Sequence, residues 1–396
     1  MIAALPSPRP LLLAVAITGL LTGCLSHPRP KESIGSNALI EQLQATGYQP
    51  SQPRSRSMAS WSERWTVGEE KVDTEWLVPE GVQKAPLIIY MPGLGEGSEA
   101  GQLWREAWVQ AGYAVLSIQP ARFGRTIYSS REAEAGSFRV LAQRSYSQEA
   151  LKTRIHVIDQ IVTQLRLQAR MGEARLAPID WERLTVAGYD LGAQTAAALA
   201  GERDPGQTLP ETAIKPVAAI LLSPYVQDMA NPVRFRTINV PVLTATGPQD
   251  EDVFSWVRSA GQRRQLWQGL SVPGSYQLIL SDADHRVLSG SLGDQPQHEK
   301  SNKRAEEPSD GAGPGGRGPG GGPSGPGKAH GGRGGSFGHG QGEESRFDPR
   351  QAAAIRAVST AFLDATVERS TPAQTWLSQP ANAWLGSQQA HLDLKR

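Results

Sequence analysis

The apolar positions of this chain fall into short unbroken runs separated by amphipathic stretches. Residues 86–90 (PLIIY), 113–118 (YAVLSI), 184–187 (LTVA), 217–222, 240–245 and 276–280 are each of strand length and too short for a buried helix. Runs that are apolar on both faces belong in a sheet covered on both sides. The stretches between them carry helical spacing. Leu103, Trp104, Ala107, Trp108 and Ala111 mark one helix, stopped by Gly112, and Leu151, Ile155, Ile158, Ile161, Val162 and Leu165 mark a long one. Residues 253–270 predict a further helix, and Ala352, Ile355, Val358, Phe362 and Leu363 predict another. Upstream, residues 62–67 and 71–78 alternate around Gly68-Glu69-Glu70, as a β-hairpin does. Two hairpin strands and six strands alternating with helices predict an α/β domain. Its sheet is eight-stranded and mostly parallel, with helices on both faces and right-handed crossovers.

Composition changes the picture at two places. At the start, Arg9 precedes the apolar run 11–17, which closes on Leu21-Thr22-Gly23-Cys24. That is the layout of a signal peptide, too short to span a bilayer as a helix. The closing residues resemble the lipobox of bacterial lipoproteins, which implies cleavage after residue 23, lipidation of Cys24 and a location in the bacterial cell envelope. Leu25, rather than Asp, after the cysteine implies the outer membrane, facing the periplasm. Cys24 is the only cysteine, so no intramolecular disulfide can form. Residues 24–60 then read as a polar tether with one helical patch at 38–43, and 61–396 as the folded domain.

The second place is 295–344, which includes the run GAGPGGRGPGGGPSGPGKAHGGRGG and cannot bury a core. Because helical spacing resumes at Ala352, the tract reads as an insertion within one domain. Its arginines are too sparse for an RNA-binding tract, and His330 and His339 are too isolated to predict a metal site. Forty Lys and Arg against 39 Asp and Glu leave no charge excess for a nucleic-acid partner. No cofactor is called for.

The chemistry concentrates at Val186-Ala187-Gly188-Tyr189-Asp190-Leu191-Gly192. A strand, a Gly-x-Asp-x-Gly turn and an alanine-rich helix follow one another there. This resembles the nucleophile elbow of the α/β-hydrolase fold with Asp190 in place of serine. The resemblance covers residues 62–285 and resumes near Phe347. It implies a chain order of nucleophile, acid and histidine, which Asp190, Asp250 and His285 satisfy; Asp252 and Asp228 are alternatives for the acid. It also implies an oxyanion hole from the amides of Leu191 and Leu94.

Aspartate at this turn is similar to haloalkane dehalogenases and epoxide hydrolases, whose carboxylate attacks sp³ carbon and leaves an ester that water then cleaves. Those families carry a helical cap that the nine residues 231–239 cannot supply. The layout without a large cap, and FLDATVERSTPAQTWL near the end, resemble instead the dienelactone-hydrolase and acetylhydrolase-like group. Residues 123–147, which include Tyr128 and Tyr146, are the one segment placed to act as a lid, although aromatic residues there also suit plain packing. Two functions stay open: a membrane-tethered hydrolase acting on a small organic substrate through Asp190, and a non-catalytic binding or envelope protein on a retained scaffold.

Overall fold

A computed structural model describes residues 31–50, 55, 57–226, 232–252, 254, 256, 257, 259–291 and 348–396. In chain order the elements are α1 (Lys31–Ala45), β1 (Met58–Val67), β2 (Glu70–Pro79), β3 (Ala85–Met91), α2 (Gln102–Gln110), β4 (Ala114–Pro120), α3 (Arg131–Glu134), α4 (Phe138–Ser145) and α5 (Gln148–Arg170). They continue as β5 (Ile179–Tyr189), α6 (Leu191–Leu199), β6 (Ala218–Leu222), α7 (Val233–Arg236), β7 (Val242–Thr246), α8 (Ala260–Gly269) and β8 (Tyr276–Leu280). The last are α9 (His285–Ser289), α10 (Pro349–Thr366), α11 (Thr371–Ser378), α12 (Pro380–Ser387) and β9 (Ala390–Leu394).

The described strands form one mixed, mostly parallel sheet in the order β1-β2-β4-β3-β5-β6-β7-β8-β9. The β1/β2, β2/β4 and β8/β9 pairs are antiparallel and every other neighbouring pair is parallel. Period-two alternation sends Ile88 and Tyr90 to one face, against Trp104 and Trp108 of α2 and the alanine-rich α10. Leu87 and Ile89 point to the other face, against Ile155, Ile158 and Val162 of α5 and Ala196 of α6.

The sheet has nine strands where the apolar runs predict eight. β9 leaves four of its five residues partly or fully exposed and buries only Leu392, so as an edge strand it carries no apolar run to read. The helix expected over 253–270 begins only at Ala260. The Asp252 carboxylate takes the amides of Phe254, Trp256 and Val257 at 3.0, 2.5 and 2.7 Å, and so turns the chain before a helix can start. The helical patch expected within a tether belongs to α1. That helix does not hang free: Ile40 and Tyr48 are buried in the same cluster as Val358 and Phe362 of α10. Cys24, Asp228 and the tract 295–344 lie outside the described residues. No helix among the described residues is long and apolar enough to cross a membrane.

Strand order reverses at β3. From β3 the chain crosses to β4 on one side, then to β5 on the other. At such a switch point the loops leaving the carboxyl ends of two adjacent parallel strands diverge and open a crevice. The loops in question carry Leu94 and Asp190.

Candidate active site

β5 is apolar from Leu184 to Ala187 and ends in Gly188-Tyr189. Asp190 follows at φ 51° and ψ −107°, a combination that side-chain-bearing residues rarely adopt and that costs about 1–3 kcal/mol. Its amide donates to Leu222 O at 3.0 Å, and its carbonyl accepts the Gln194 N–H at 3.1 Å as the first bond of α6. The flanking glycines are steric requirements. A Cβ on Gly192 would lie 1.8 Å from Met91 O, and one on Gly188 would lie 2.3 Å from Gly192 O. Only glycine lets the elbow press against the end of β3.

The other two triad candidates arrive on adjacent loops. Asp250 lies four residues past β7, where a Cβ on Gly247 would meet Leu280 O at 2.4 Å, and Gln249 bridges to Asp284. His285 opens α9, capped by Asp284, whose carboxylate accepts the Val287 N–H at 3.0 Å. The structure brings the three together. His285 Nδ1 is 2.7 Å from Asp250 Oδ1, and His285 Nε2 is 3.8 Å from Asp190 Oδ1. Asp252 is occupied by its own loop amides, so of the described candidates Asp250 is the acid beside the histidine.

Asp250 is fully buried and its oxygens are crowded. Oδ1 also accepts from Ser223 Oγ and Oδ2 from Thr246 Oγ1, both at 2.7 Å. Burial works to raise its pKa, but the charge of Arg263 and the bond to His285 outweigh this and hold the carboxyl below its ordinary value. Ser223, at φ 52°, brings its hydroxyl to 2.9 Å from His285 Nδ1 as well. The Tyr189 hydroxyl donates to His285 O at 2.8 Å, which ties the elbow to the histidine.

Asp190 is 2% exposed. Its Oδ2 accepts a short hydrogen bond from the Tyr146 hydroxyl, while Oδ1 has no hydrogen-bond partner among the described residues. Tyr146 stacks on Tyr225 with ring centroids 4.4 Å apart. Buried Arg154 braces this arrangement, donating to Ser145 O at 2.7 Å and to Gln194 Oε1 at 2.5 Å, while Gln194 Nε2 donates to Tyr146 O at 3.1 Å. A pocket of about 400 Å³ borders the site at Tyr146, Gln194, Tyr225 and Trp256; Asp190 itself does not line it.

The amides of Leu94 and Leu191 sit on the two loops that Gly192 packs together, and neither amide donates a hydrogen bond among the described residues. The Leu94 loop is held by Glu96, whose Oε2 accepts the Gly93 N–H at 2.8 Å and whose Oε1 accepts from Ser291 Oγ at 3.3 Å. Burial pushes the Glu96 carboxyl up to about 7. The charge of Asp190 adds to this, against the Gly93 N–H, His285 and the Ser291 hydroxyl.

Four residues at this centre escape a sequence reading: Arg263, Ser223, Thr246 and Glu96. Arg263 stands in the polar run Gln262-Arg263-Arg264-Gln265, where nothing marks it as buried. Ser223 and Thr246 sit at strand ends like any terminal hydroxyl, and Glu96 reads as one more polar residue of a glycine-rich turn. Tyr146 stands in the lid segment, and contact with Asp190 distinguishes it from packing. Among the described residues no three His, Cys, Asp or Glu side chains converge as a metal-ion site. Comparison with protein-family models and with curated proteins finds no match for this chain.

Proposed function

We propose that the chain is a hydrolase of the α/β-hydrolase fold, without a large cap, in which Asp190 attacks an sp³ carbon of a small organic substrate. The observation that carries this reading is the free Asp190 Oδ1 on a strained strand-to-helix turn, 3.8 Å from the Nε2 of a histidine whose Nδ1 is paired with Asp250.

In the first step Oδ1 forms a bond to the substrate carbon and the leaving group departs with its electron pair. Where the leaving group is the oxygen of an opened epoxide, the Tyr146 hydroxyl is the nearby proton donor. In the second step water adds to Asp190 Cγ and its proton passes to His285 Nε2, with Asp250 offsetting the imidazolium charge. Negative charge then rests on Oδ2, toward which the amides of Leu94 and Leu191 are the candidate donors, joined by Tyr146 where it has kept its proton. Collapse breaks the Cγ–Oδ1 bond, His285 returns its proton to the departing alcohol, and the water's second proton leaves the Asp190 carboxyl for the Tyr146 oxygen where Tyr146 gave one up, and otherwise for solvent. The lipobox reading adds Cys24 as a lipid anchor that holds the enzyme in the cell envelope.

The test traps the intermediate. His285→Gln, incubated with small epoxides and alkyl halides, should gain the mass of a substrate fragment on the peptide carrying Asp190, and Asp190→Asn should gain none. Wild-type turnover in heavy-oxygen water should place label in the Asp190 carboxylate. Ester hydrolysis that persists in Asp190→Ala would remove the aspartate from the nucleophile's role. A second reading, a binding protein without catalysis, is favoured by the Tyr146 hydroxyl resting on a carboxylate that is almost wholly covered. Absence of adduct and label across the panel would select it.

A further inference from the structure

Arg263 projects from α8 into the centre of the candidate triad and is 0% exposed. Its Nε donates to Asp250 O at 3.0 Å and lies 3.3 Å from Asp250 Oδ1. Its Nη1 donates to Ser223 O and Pro224 O, each at 3.2 Å, and lies 4.0 Å from Asp190 Oδ1. Its Nη2 is 3.5 Å from His285 Nδ1. A guanidinium stays charged in a protein interior, so this is a fixed cation bordering all three triad positions.

A general base that must accept a proton is hindered by a cation at that distance, because the imidazolium and the guanidinium repel in a site with little water. With serine at the elbow, Arg263 and Asp250 would cancel each other. The proton moved from serine onto His285 would then create a positive charge with no carboxylate left to offset it, while the negative charge developed on the substrate. With aspartate at the elbow no proton moves onto His285 during the attack. In the step that uses His285, negative charge returns to the Asp190 carboxyl, whose Oδ1 lies 4.0 Å from Arg263 in the resting site, and offsets the proton taken up.

We propose that Arg263 is the specificity-determining residue that commits this centre to an anionic group at the elbow and excludes a hydroxyl nucleophile. The proposal rests on Asp190 as the attacking group. The groups that face Arg263 are Asp250, Asp190, Tyr146 and Asp252, together with His285 and Tyr189. Among the described residues, Asp250 and Asp190 are the two carboxylates within ion-pair distance of it.

The test uses a fluorophosphonate, which forms an O–P bond with an activated serine, expels fluoride and sends the serine proton to the histidine. Asp190→Ser alone should stay unlabelled or react at least about tenfold more slowly than the double variant Asp190→Ser/Arg263→Gln. Asp190→Ser/Arg263→Lys, which keeps the charge, should resist as the single variant does. Intact-mass spectrometry reads the adduct, and near-ultraviolet circular dichroism confirms that each variant is folded. Arg263→Met replaces Arg263→Gln if the latter is not. Rapid labelling of Asp190→Ser alone, or no labelling of a folded double variant that lacks the charge, overturns the proposal. None of these outcomes depends on Asp190 attacking anything, so a failure here is separable from a failure of the trapping experiment on His285→Gln.

Discussion

Glu96 shows how one side chain couples the candidate oxyanion loop to the histidine loop. It bonds to Gly93 on one side and to Ser291, beyond α9, on the other. Its carboxyl, ordinarily near 4.5, is pushed up to about 7 in the folded chain, above all by burial. The folded state therefore holds a proton that the unfolded state has lost between those two values. The stability that Glu96 contributes is complete below about pH 4.5 and is lost as pH rises through 7. Glu96→Gln removes this dependence. Urea unfolding at pH 5 and pH 8 should show the wild type losing about 2 kcal/mol relative to the variant, a figure that allows for the partial exposure of the side chain. A difference between the two proteins that stays constant across that window would place the Glu96 proton elsewhere.

Among the elements, α1 is the one whose role differs most from its sequence. It carries few apolar residues, yet the turn after it inserts Tyr48 beside Tyr113, and the two hydroxyls donate to Asp364 of α10 at 2.6 and 2.8 Å. Burial raises the Asp364 carboxyl above its ordinary value, Glu368 adds to this, and the two tyrosine donors pull it back down. Removing one donor leaves a buried carboxyl half-served. Tyr113→Phe should therefore cost about 1–2 kcal/mol, read as a lower urea midpoint at unchanged slope. Tyr48→Phe should reduce the protection of α1 amides from hydrogen exchange before those of the sheet, since that hydrogen bond joins the turn after α1 to α10. Simultaneous loss of protection throughout would mean that α1 unfolds only with the whole domain.

At the scale of the molecule, α9 and α10 both pack in one core although 295–344 separates them in the chain. Closure entropy grows only with the logarithm of loop length. Replacing 295–344 with a Gly/Ser connector that spans the two ends should raise stability by no more than about 1.5 kcal/mol, or leave it unchanged. A large loss on replacement would show that the tract contributes contacts of its own.

The order of strands and helices was legible because each central strand is an unbroken apolar run and each long helix carries spacings of three and four. Both signals are local and survive without tertiary contacts. The elbow was legible for a related reason: Gly188 and Gly192 are demanded by backbone contacts that no other residue tolerates, so the motif is written in residue identity. Asp250 and His285 followed from their positions after β7 and β8. Burial of a polar side chain is not a local property. Arg263, Ser223 and Thr246 read as ordinary surface or strand-end residues until the sheet gathers them around one carboxylate, and β9 reads as a polar tail until β8 pairs with it. The sequence by itself determined which backbone could be built and where the candidate reacting group, Asp190, would stand on it. Only the tertiary structure decided which charges surround that group, because electrostatic balance depends on distances between segments that the chain order does not encode.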